Sequence, residues 1–185
     1  MDKPLIDGRG LLAWALTLLA FPPAGLLARA IAGPVDAIWT AVLAGAIAGA
    51  VIGAAQWLAL RRTGIGPTWI AATTAGGAAG LGLAYGVLGY GDSVGDLAVM
   101  GGVTGTGIGA AQWWELRTRV RGSLWWIPAS AVAWALGWTV TTAIGVDPDD
   151  RWANPGLSGA ATLTLLLGAV LWLLGRAAAG REPAA

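Results

Sequence analysis

Six apolar stretches, each about as long as a helix that crosses a bilayer, are separated by short breaks that carry nearly all of the charge. They lie near residues 11–32, 38–60, 68–90, 95–116, 124–146 and 156–175. About 20 helical residues cross the hydrocarbon core of a membrane, where every backbone polar group must be paired within the segment. We therefore predict an all-α membrane protein with six transmembrane helices, in which the short breaks turn consecutive helices into hairpins.

The residue inventory narrows the classes of function. Charged residues make up 11% of the chain, about half of their share in ordinary soluble domains. The net charge of +1 offers no basic field for nucleic acid. Cysteine and histidine are absent, which removes thiolate nucleophiles and the commonest general base and metal ligand. Because no predicted span has an acid in its middle, we expect a non-enzymatic protein with no catalytic, metal or cofactor residues and no ion-coupled transport.

The positions of the basic residues predict the orientation. One side of the predicted membrane carries nine of the eleven: Lys3, Arg9, Arg61, Arg62, Arg117, Arg119, Arg121, Arg176 and Arg181. By the positive-inside rule, both termini are cytoplasmic. A cleaved signal peptide at 1–30, ending in "ARA", is the less favoured alternative, because Asp2 and Asp7 offset the charges of Lys3 and Arg9.

Two stretches of the chain are near twins, 56 residues apart. "GAIAGAVIGAAQWLALRR" begins at Gly45 and "GGVTGTGIGAAQWWELRT" begins at Gly101. The spans beginning at Trp69 and Trp126 also correspond, and a weaker third copy over 168–176 has Leu171 where the twins have glutamine. We predict a single membrane domain, 1–185, of three tandem hairpins, approximately 11–60, 68–116 and 124–175. Units with an even number of spans share one orientation, so the hairpins predict a pseudo-threefold bundle with the second helix of each in an inner ring.

Glycine at every fourth position predicts the surfaces on which these helices pack. The predicted packing residues are Gly45, Gly49, Gly53, Gly101, Gly105 and Gly109, with Ala160, Thr164 and Gly168 in the third copy. Small residues at this spacing let membrane helices approach closely. The tryptophans near the arginine-rich side, including Trp14, Trp69, Trp126 and Trp172, are predicted to anchor at the membrane interface.

The run GxxxGxxxGxxQWLxLRR, followed by a helix that begins with one or two tryptophans, resembles a diffuse family of uncharacterised bacterial polytopic membrane proteins. The resemblance covers 45–142 well and the final hairpin weakly. It implies a multi-pass protein of the bacterial cytoplasmic membrane. It carries no functional residues across to this chain.

Gln56 and Gln112 are the strongly polar uncharged amides within the spans. They could contact a ligand, but interhelical hydrogen bonding is the favoured interpretation. Parallel repeats place them at equal depth, so we predict that they face the interior and bond each other or share one water or backbone carbonyl. Trp134 and Trp138, one turn apart at mid-depth, either stack on a flat apolar ligand such as a lipid, quinone or carotenoid, or fill space opposite the glycines.

The remaining polar residues have structural interpretations beside the functional ones. Glu115 is expected to pair with Arg119 or Arg62, and Asp92 and Asp96 to be solvated or to cap a helix. The hydroxyls of Thr73, Thr74, Thr104, Thr106, Thr141, Thr142, Tyr85 and Tyr90 either line a polar path or bond backbone carbonyls. Pro22, Pro23 and Pro128 are expected to kink the first and fifth helices.

Two classes of function remain. The first is a structural or accessory membrane subunit, or a bundle that binds an apolar ligand such as a lipid or pigment. The second is a small-solute channel or the substrate-binding subunit of a transporter. In either class the expected partners are membrane lipids, with other membrane subunits or further copies of the chain as additional partners, and no nucleic acid.

Overall fold

The structure, a computed structural model, describes residues 6–91, 93–145, 147 and 150–179. Over these residues the chain forms six helical segments and no strand. The first segment joins α1 (Gly8–Ala15) to α2 (Phe21–Ala32) through a tighter 3₁₀ turn at Leu16–Ala20. The others are α3 (Ile38–Leu60), α4 (Thr68–Leu88), α5 (Val94–Leu116), α6 (Trp126–Ala143) and α7 (Leu157–Ala179). The prediction of an all-helical chain is confirmed.

Four of the segments are long and apolar enough to cross a membrane. They are Gly8–Ala32, Ile38–Thr63, Thr68–Leu88 and Leu157–Arg176. Helices α5 and α6 do not reach the same hydropathy. Helix α5 is rich in glycine and threonine, and α6 is shorter and contains serine, proline and three threonines.

The proline pair in the first segment explains its change of helix type. Pro22 and Pro23 have no N–H to offer the carbonyls four residues earlier, so the chain tightens into the 3₁₀ turn before them. Pro128 behaves differently from the prediction. It lies in the first turn of α6, where a backbone N–H has no partner within the helix, and the helix continues through it to Ala143.

The six segments pack mainly as a closed ring of chain neighbours. Each contacts the next along the chain, and α7 contacts α1 to close the ring. Neighbours run antiparallel, as between α3 and α4, where Gly45 lies against Gly77 and Gly53 against Thr73. The most extensive contacts are therefore between chain neighbours, and not among α3, α5 and α7, which were predicted to form an inner ring. Side chains from several helices fill the interior instead.

Three turn glycines mark the repeat at the end of the bundle opposite most of the arginines, which we call the aspartate-rich end because Asp36, Asp96 and Asp150 lie in or beside its turns. Gly33, Gly89 and Gly145 have φ of 81°, 69° and 103° and follow α2, α4 and α6. They recur at intervals of 56 residues, and each sits where the chain leaves the first helix of a predicted hairpin. This left-handed region suits glycine because a Cβ would be strained there.

The loops at this end are tied together by tyrosine. The Tyr85 hydroxyl donates to the carbonyl of Asp36, and Tyr90 donates to that of Trp152 at 3.1 Å. Burial raises the pKa of the Tyr90 phenol, which keeps the hydroxyl protonated as the donor in this hydrogen bond.

Candidate functional site

Two glutamine side chains meet in the interior of the bundle. Nε2 of Gln112 on α5 donates to Oε1 of Gln56 on α3 and to the hydroxyl of Thr73 on α4, both at 2.9 Å. Gln56 is 4% exposed and Gln112 is 1% exposed. The structure thus brings together the two residues that the repeat predicts as a polar pair, and their contact joins three helices.

Each glutamine also accepts a hydrogen bond from an indole. Nε1 of Trp69 donates to Oε1 of Gln56 at 3.1 Å, and Nε1 of Trp126 donates to Oε1 of Gln112 at 2.9 Å. The Thr73 hydroxyl donates onward to the carbonyl of Trp69 at 2.8 Å. Buried amide and indole groups are costly when unpaired, so this network satisfies several otherwise expensive groups at once.

Three of the tryptophans that were predicted to anchor at the membrane interface are buried inside the bundle. Trp14, Trp69 and Trp126 are at most 1% exposed. The Trp14 and Trp126 ring centroids lie 6.1 Å apart, and those of Trp69 and Trp126 lie 6.3 Å apart. Each comes from the first helix of a predicted hairpin, so the three rings form a common core. The spacing of "WIAAT" at Trp69 and "WIPAS" at Trp126 was the available signal, because a hydroxyl four residues after each tryptophan faces the same interior.

The predicted packing glycines close two contacts, which we call the first seam (α3 with α4) and the second seam (α5 with α6). A Cβ at Gly49 would lie 2.6 Å from the carbonyl oxygen of Thr73, and one at Gly105 would lie 2.5 Å from that of Ser130. Gly45, Gly53, Gly101 and Gly109 lie equally close to α4 or α6. Backbones at this distance have no room for a side chain, which is the packing that the fourfold glycine spacing predicts.

The third seam, α7 with α1, has the same register but different chemistry. Leu171 occupies the glutamine position, and Nε1 of Trp14 donates instead to the backbone carbonyl of Thr164 at 2.9 Å. Ser130, which corresponds to Thr73, is fully buried, and its hydroxyl has no hydrogen-bond partner among the described residues. Leu171 offers neither an acceptor for the Trp14 indole nor a donor for the Ser130 hydroxyl, unlike the glutamines at the equivalent positions.

A groove of about 460 Å³ opens along the third seam. Its walls are Leu11, Leu12 and Ala15 from α1, and Leu165, Ala169 and Trp172 from α7, while Trp14, Thr164 and Gly168 form its floor. Leu12 and Leu165 are 63% and 61% exposed, so the groove faces outward from the bundle. It is lined almost wholly by carbon.

Arginines stack on tryptophans at the arginine-rich end. The Arg176 guanidinium carbon lies 4.6 Å from the ring centroid of Trp172, and that of Arg117 lies 3.4 Å from the ring centroid of Trp114 on α5. Because Trp172 lines the groove, Arg176 stands at the groove's mouth. Arg117 occupies the corresponding repeat position on α5.

A second cavity, of about 470 Å³, lies near the aspartate-rich end between α2 and residues 150–157. Nδ2 of Asn154 donates to the carbonyls of Phe21 and Pro155 there, each at 3.1 Å. Arg29 lies 5.7 Å from the ring centroid of Trp152 at its edge. This cavity is more polar than the groove. The Arg29 guanidinium at its edge donates a hydrogen bond to the backbone carbonyl of Asp150.

Trp134 and Trp138, the predicted apolar-ligand contacts, line neither opening. They are 4% and 2% exposed and lie against α5, where a Cβ at Gly101 would be 2.5 Å from Cδ1 of Trp138. Trp134 also lies 6.0 Å from Phe21, measured between ring centroids. Their placement matches the space-filling alternative.

Most of the other polar candidates form hydrogen bonds with groups of the bundle itself. Glu115 accepts from the Thr68 hydroxyl at 2.8 Å and forms no ion pair with Arg119 or Arg62. Ser93, not Asp96, caps α5, and its hydroxyl donates to the Asp96 carboxylate at 2.6 Å. Asp92 lies outside the described residues.

The hydroxyls are mostly bonded to backbone groups. Thr74, Thr106 and Thr142 each donate to a carbonyl four residues earlier. Thr141 accepts from the N–H of Gly159, and Thr104 has no partner among the described residues. The hydroxyls therefore form no continuous polar path through the described part of the chain.

The chain matches no protein-family profile, no curated protein and no solved structure. The geometry of the core and of the groove is therefore the basis on which a function is assigned.

Proposed function

We propose that this chain is a non-enzymatic membrane protein of the bacterial cytoplasmic membrane that holds the hydrocarbon chain of a lipid in the third-seam groove. All six helical segments cross the membrane in this proposal, with both termini cytoplasmic. The observation that carries it is the outward-facing, carbon-lined groove between α1 and α7.

The ring geometry supports six crossings. Helices α5 and α6 lie in sequence between α4 and α7, which are each apolar enough to span. The buried faces of α5 and α6 carry the glycines and hydroxyls that lower their hydropathy, so lipid does not meet most of those groups. The arginines of α3, α5 and α7 then share the cytoplasmic end.

The shape and chemistry of the groove favour an extended hydrocarbon chain. From Thr164 to Trp172, α7 rises about 12 Å at 1.5 Å per residue, which matches part of an acyl or isoprenoid chain. The indole N–H of Trp14, which belongs to the floor, is already bonded to the carbonyl of Thr164. A ligand that needs hydrogen bonds would find little to bond here, whereas methylene groups gain dispersion contacts along the whole groove.

The filled interior favours this proposal over a channel or a solute-binding subunit. Three buried tryptophans and the bonded glutamine pair occupy the space that a central path would need. An accessory role within a larger membrane complex is compatible with lipid binding, since a lipid held in a seam also stabilises the bundle.

Photo-cross-linking tests the proposal. The full chain is placed in phosphatidylcholine nanodiscs containing phosphatidylcholine with a diazirine in its acyl chain, and labelled peptides are mapped after irradiation. We expect labelling concentrated on residues 11–15 and 164–172. Ala169→Trp, which fills the groove from an exposed position, should remove most of it.

Ala110→Trp is the matched control. Ala110 is the exposed residue at the same repeat position on α5, so this variant adds the same ring to the outer surface away from the groove. It should leave labelling of the third seam unchanged. Labelling spread evenly over all outward faces, or insensitive to Ala169→Trp, would overturn the proposal.

A further inference from the structure

We infer that the third-seam groove selects an anionic glycerophospholipid, whose phosphate binds Arg176 at the arginine-rich mouth. This inference rests on the proposed hydrocarbon site and adds the headgroup to it. The occupant is one molecule with its chain against α1 and α7 and its phosphate at the last turn of α7.

The apolar wall of the groove leads directly to a cation. Trp172 is the last groove residue on α7, and the Arg176 guanidinium stacks 4.6 Å from its ring centroid one helical turn later. An indole at this place has its apolar ring beside the acyl chain and its edge toward the headgroup level. A phosphate attached to a chain in the groove therefore reaches the depth of Arg176.

Stacking leaves the guanidinium suited to a phosphate. The ring covers one face of the planar group, while its N–H donors point outward in the plane, where phosphate oxygens accept two parallel bonds. Arg176 has no carboxylate partner among the described residues, so its charge is available. Asp7, the residue that precedes α1, is engaged as the helix cap, its carboxylate accepting from the N–H of Gly10 at 2.7 Å.

A second cation adds to the preference for a net negative headgroup. Arg9 lies on the first turn of α1, three residues before the groove residue Leu12 and so on the same side of the helix, and is exposed. Zwitterionic headgroups carry their own ammonium, which two nearby arginines repel. An anionic headgroup carries no such group, and basic residues near the membrane surface favour it.

The test compares two lipid probes with identical diazirine-bearing acyl chains, phosphatidylglycerol and phosphatidylcholine, each at trace level in phosphatidylcholine nanodiscs containing the full chain. We expect phosphatidylglycerol to label 164–172 about five-fold more strongly, as one well-placed basic residue predicts. Arg176→Gln should remove most of this excess without lowering phosphatidylcholine labelling, and Arg176→Lys should keep more of it.

Arg117→Gln is the matched control, because Arg117 is at the same repeat position as Arg176 and also stacks on a tryptophan, Trp114, but has no place in the groove. It should leave the excess intact, and excess inorganic phosphate should not displace the lipid. Equal labelling by the two probes, an equal loss with Arg117→Gln, or displacement by inorganic phosphate would each overturn the headgroup assignment. Failure of the proposed hydrocarbon site would give a different result. In that case, Ala169→Trp would not reduce phosphatidylcholine labelling.

Discussion

The first and second seams and the third seam share one register, but only the first two are closed. Glycines bring α3 onto α4 and α5 onto α6 at backbone contact, and a glutamine on each bonds a tryptophan across the seam. The third seam keeps only Gly168, which faces the Trp14 ring, and has leucine for glutamine. Relaxing the pattern in one of three equivalent places opens a groove there while the other two stay closed.

The absence of an amide at position 171 changes the hydrogen bonding around it. Gln112 donates both to Gln56 and to Thr73. In the next repeat, residue 171 takes the place of Gln112, and the equivalent bonds would join it to Gln112 and to Ser130. Leu171 cannot make them, and the Ser130 hydroxyl is accordingly without a partner in the described structure.

The largest difference between the seams should come from enlarging their glycines. Gly49→Leu and Gly105→Leu force a side chain into the opposing backbone, and we expect each to lower the free energy of unfolding by about 3 kcal/mol or more. Gly168→Leu meets a tryptophan ring beside an open groove and should cost less. Unfolding by denaturing detergent in mixed micelles measures all three.

An equal cost at all three positions would contradict the contrast between the seams. Gly102→Leu serves as the control for helix propensity and surface change. Gly102 is on α5 but lies no closer than 3.8 Å to α6, measured from the position of a Cβ. Leucine there should change stability by about 0.5 kcal/mol or less.

The glutamine pair should show the next largest effect. Gln56→Leu leaves Nε2 of Gln112 and the Trp69 indole with fewer partners, and Gln112→Leu leaves the Trp126 indole unpaired. Each single change should cost about 1 kcal/mol. The double variant should cost less than the sum, because no orphaned amide remains.

The double variant should still be less stable than the parent, because two indoles keep no acceptor. Strict additivity in the double-mutant cycle would mean that the amides act independently. Full recovery in the double variant would mean that the tryptophan bonds contribute nothing.

The glycine seams and the amide contact were predictable from sequence because they depend on spacing alone. Glycine at every fourth position fixes one helix face, and the 56-residue repeat fixes the relative depth of Gln56 and Gln112. Helix ends followed from charge and turn residues, and observed ends such as Leu60 and Leu116 lie at the predicted positions.

The burial of Trp69 and Trp126 was not predictable from the same rules. A tryptophan near a helix end suits the membrane interface, and the hydroxyl four residues later indicates a buried indole only together with a tertiary partner. The partner here is the glutamine on the preceding helix. The groove also escaped prediction, because it depends on how α1 and α7 lie against each other, which the residue spacing within one helix does not give.

Restoring the amide in the third seam should make it more like the other two. Leu171→Gln can bond Gln112 and the Ser130 hydroxyl, and we expect stability to stay level or rise by about 0.5 kcal/mol. The control is Leu163→Gln, another buried leucine of α7. An amide there has no matching partner and should cost about 1–3 kcal/mol. An equal loss in both variants would refute the repeat correspondence at 171.

The smallest effect tests the same correspondence without adding an amide. Ser130→Ala removes a buried hydroxyl that has no partner in the described structure, so we expect a change within about 0.5 kcal/mol of zero. Thr73→Val removes the equivalent hydroxyl, which accepts from Gln112 and donates to Trp69, and should cost about 1 kcal/mol. The contrast should shrink in the Leu171→Gln background, where Ser130 gains a donor and Ser130→Ala becomes costly. A loss on Ser130→Ala in the parent chain that Leu171→Gln does not increase would show that the serine is held by something other than the position that Leu171 occupies.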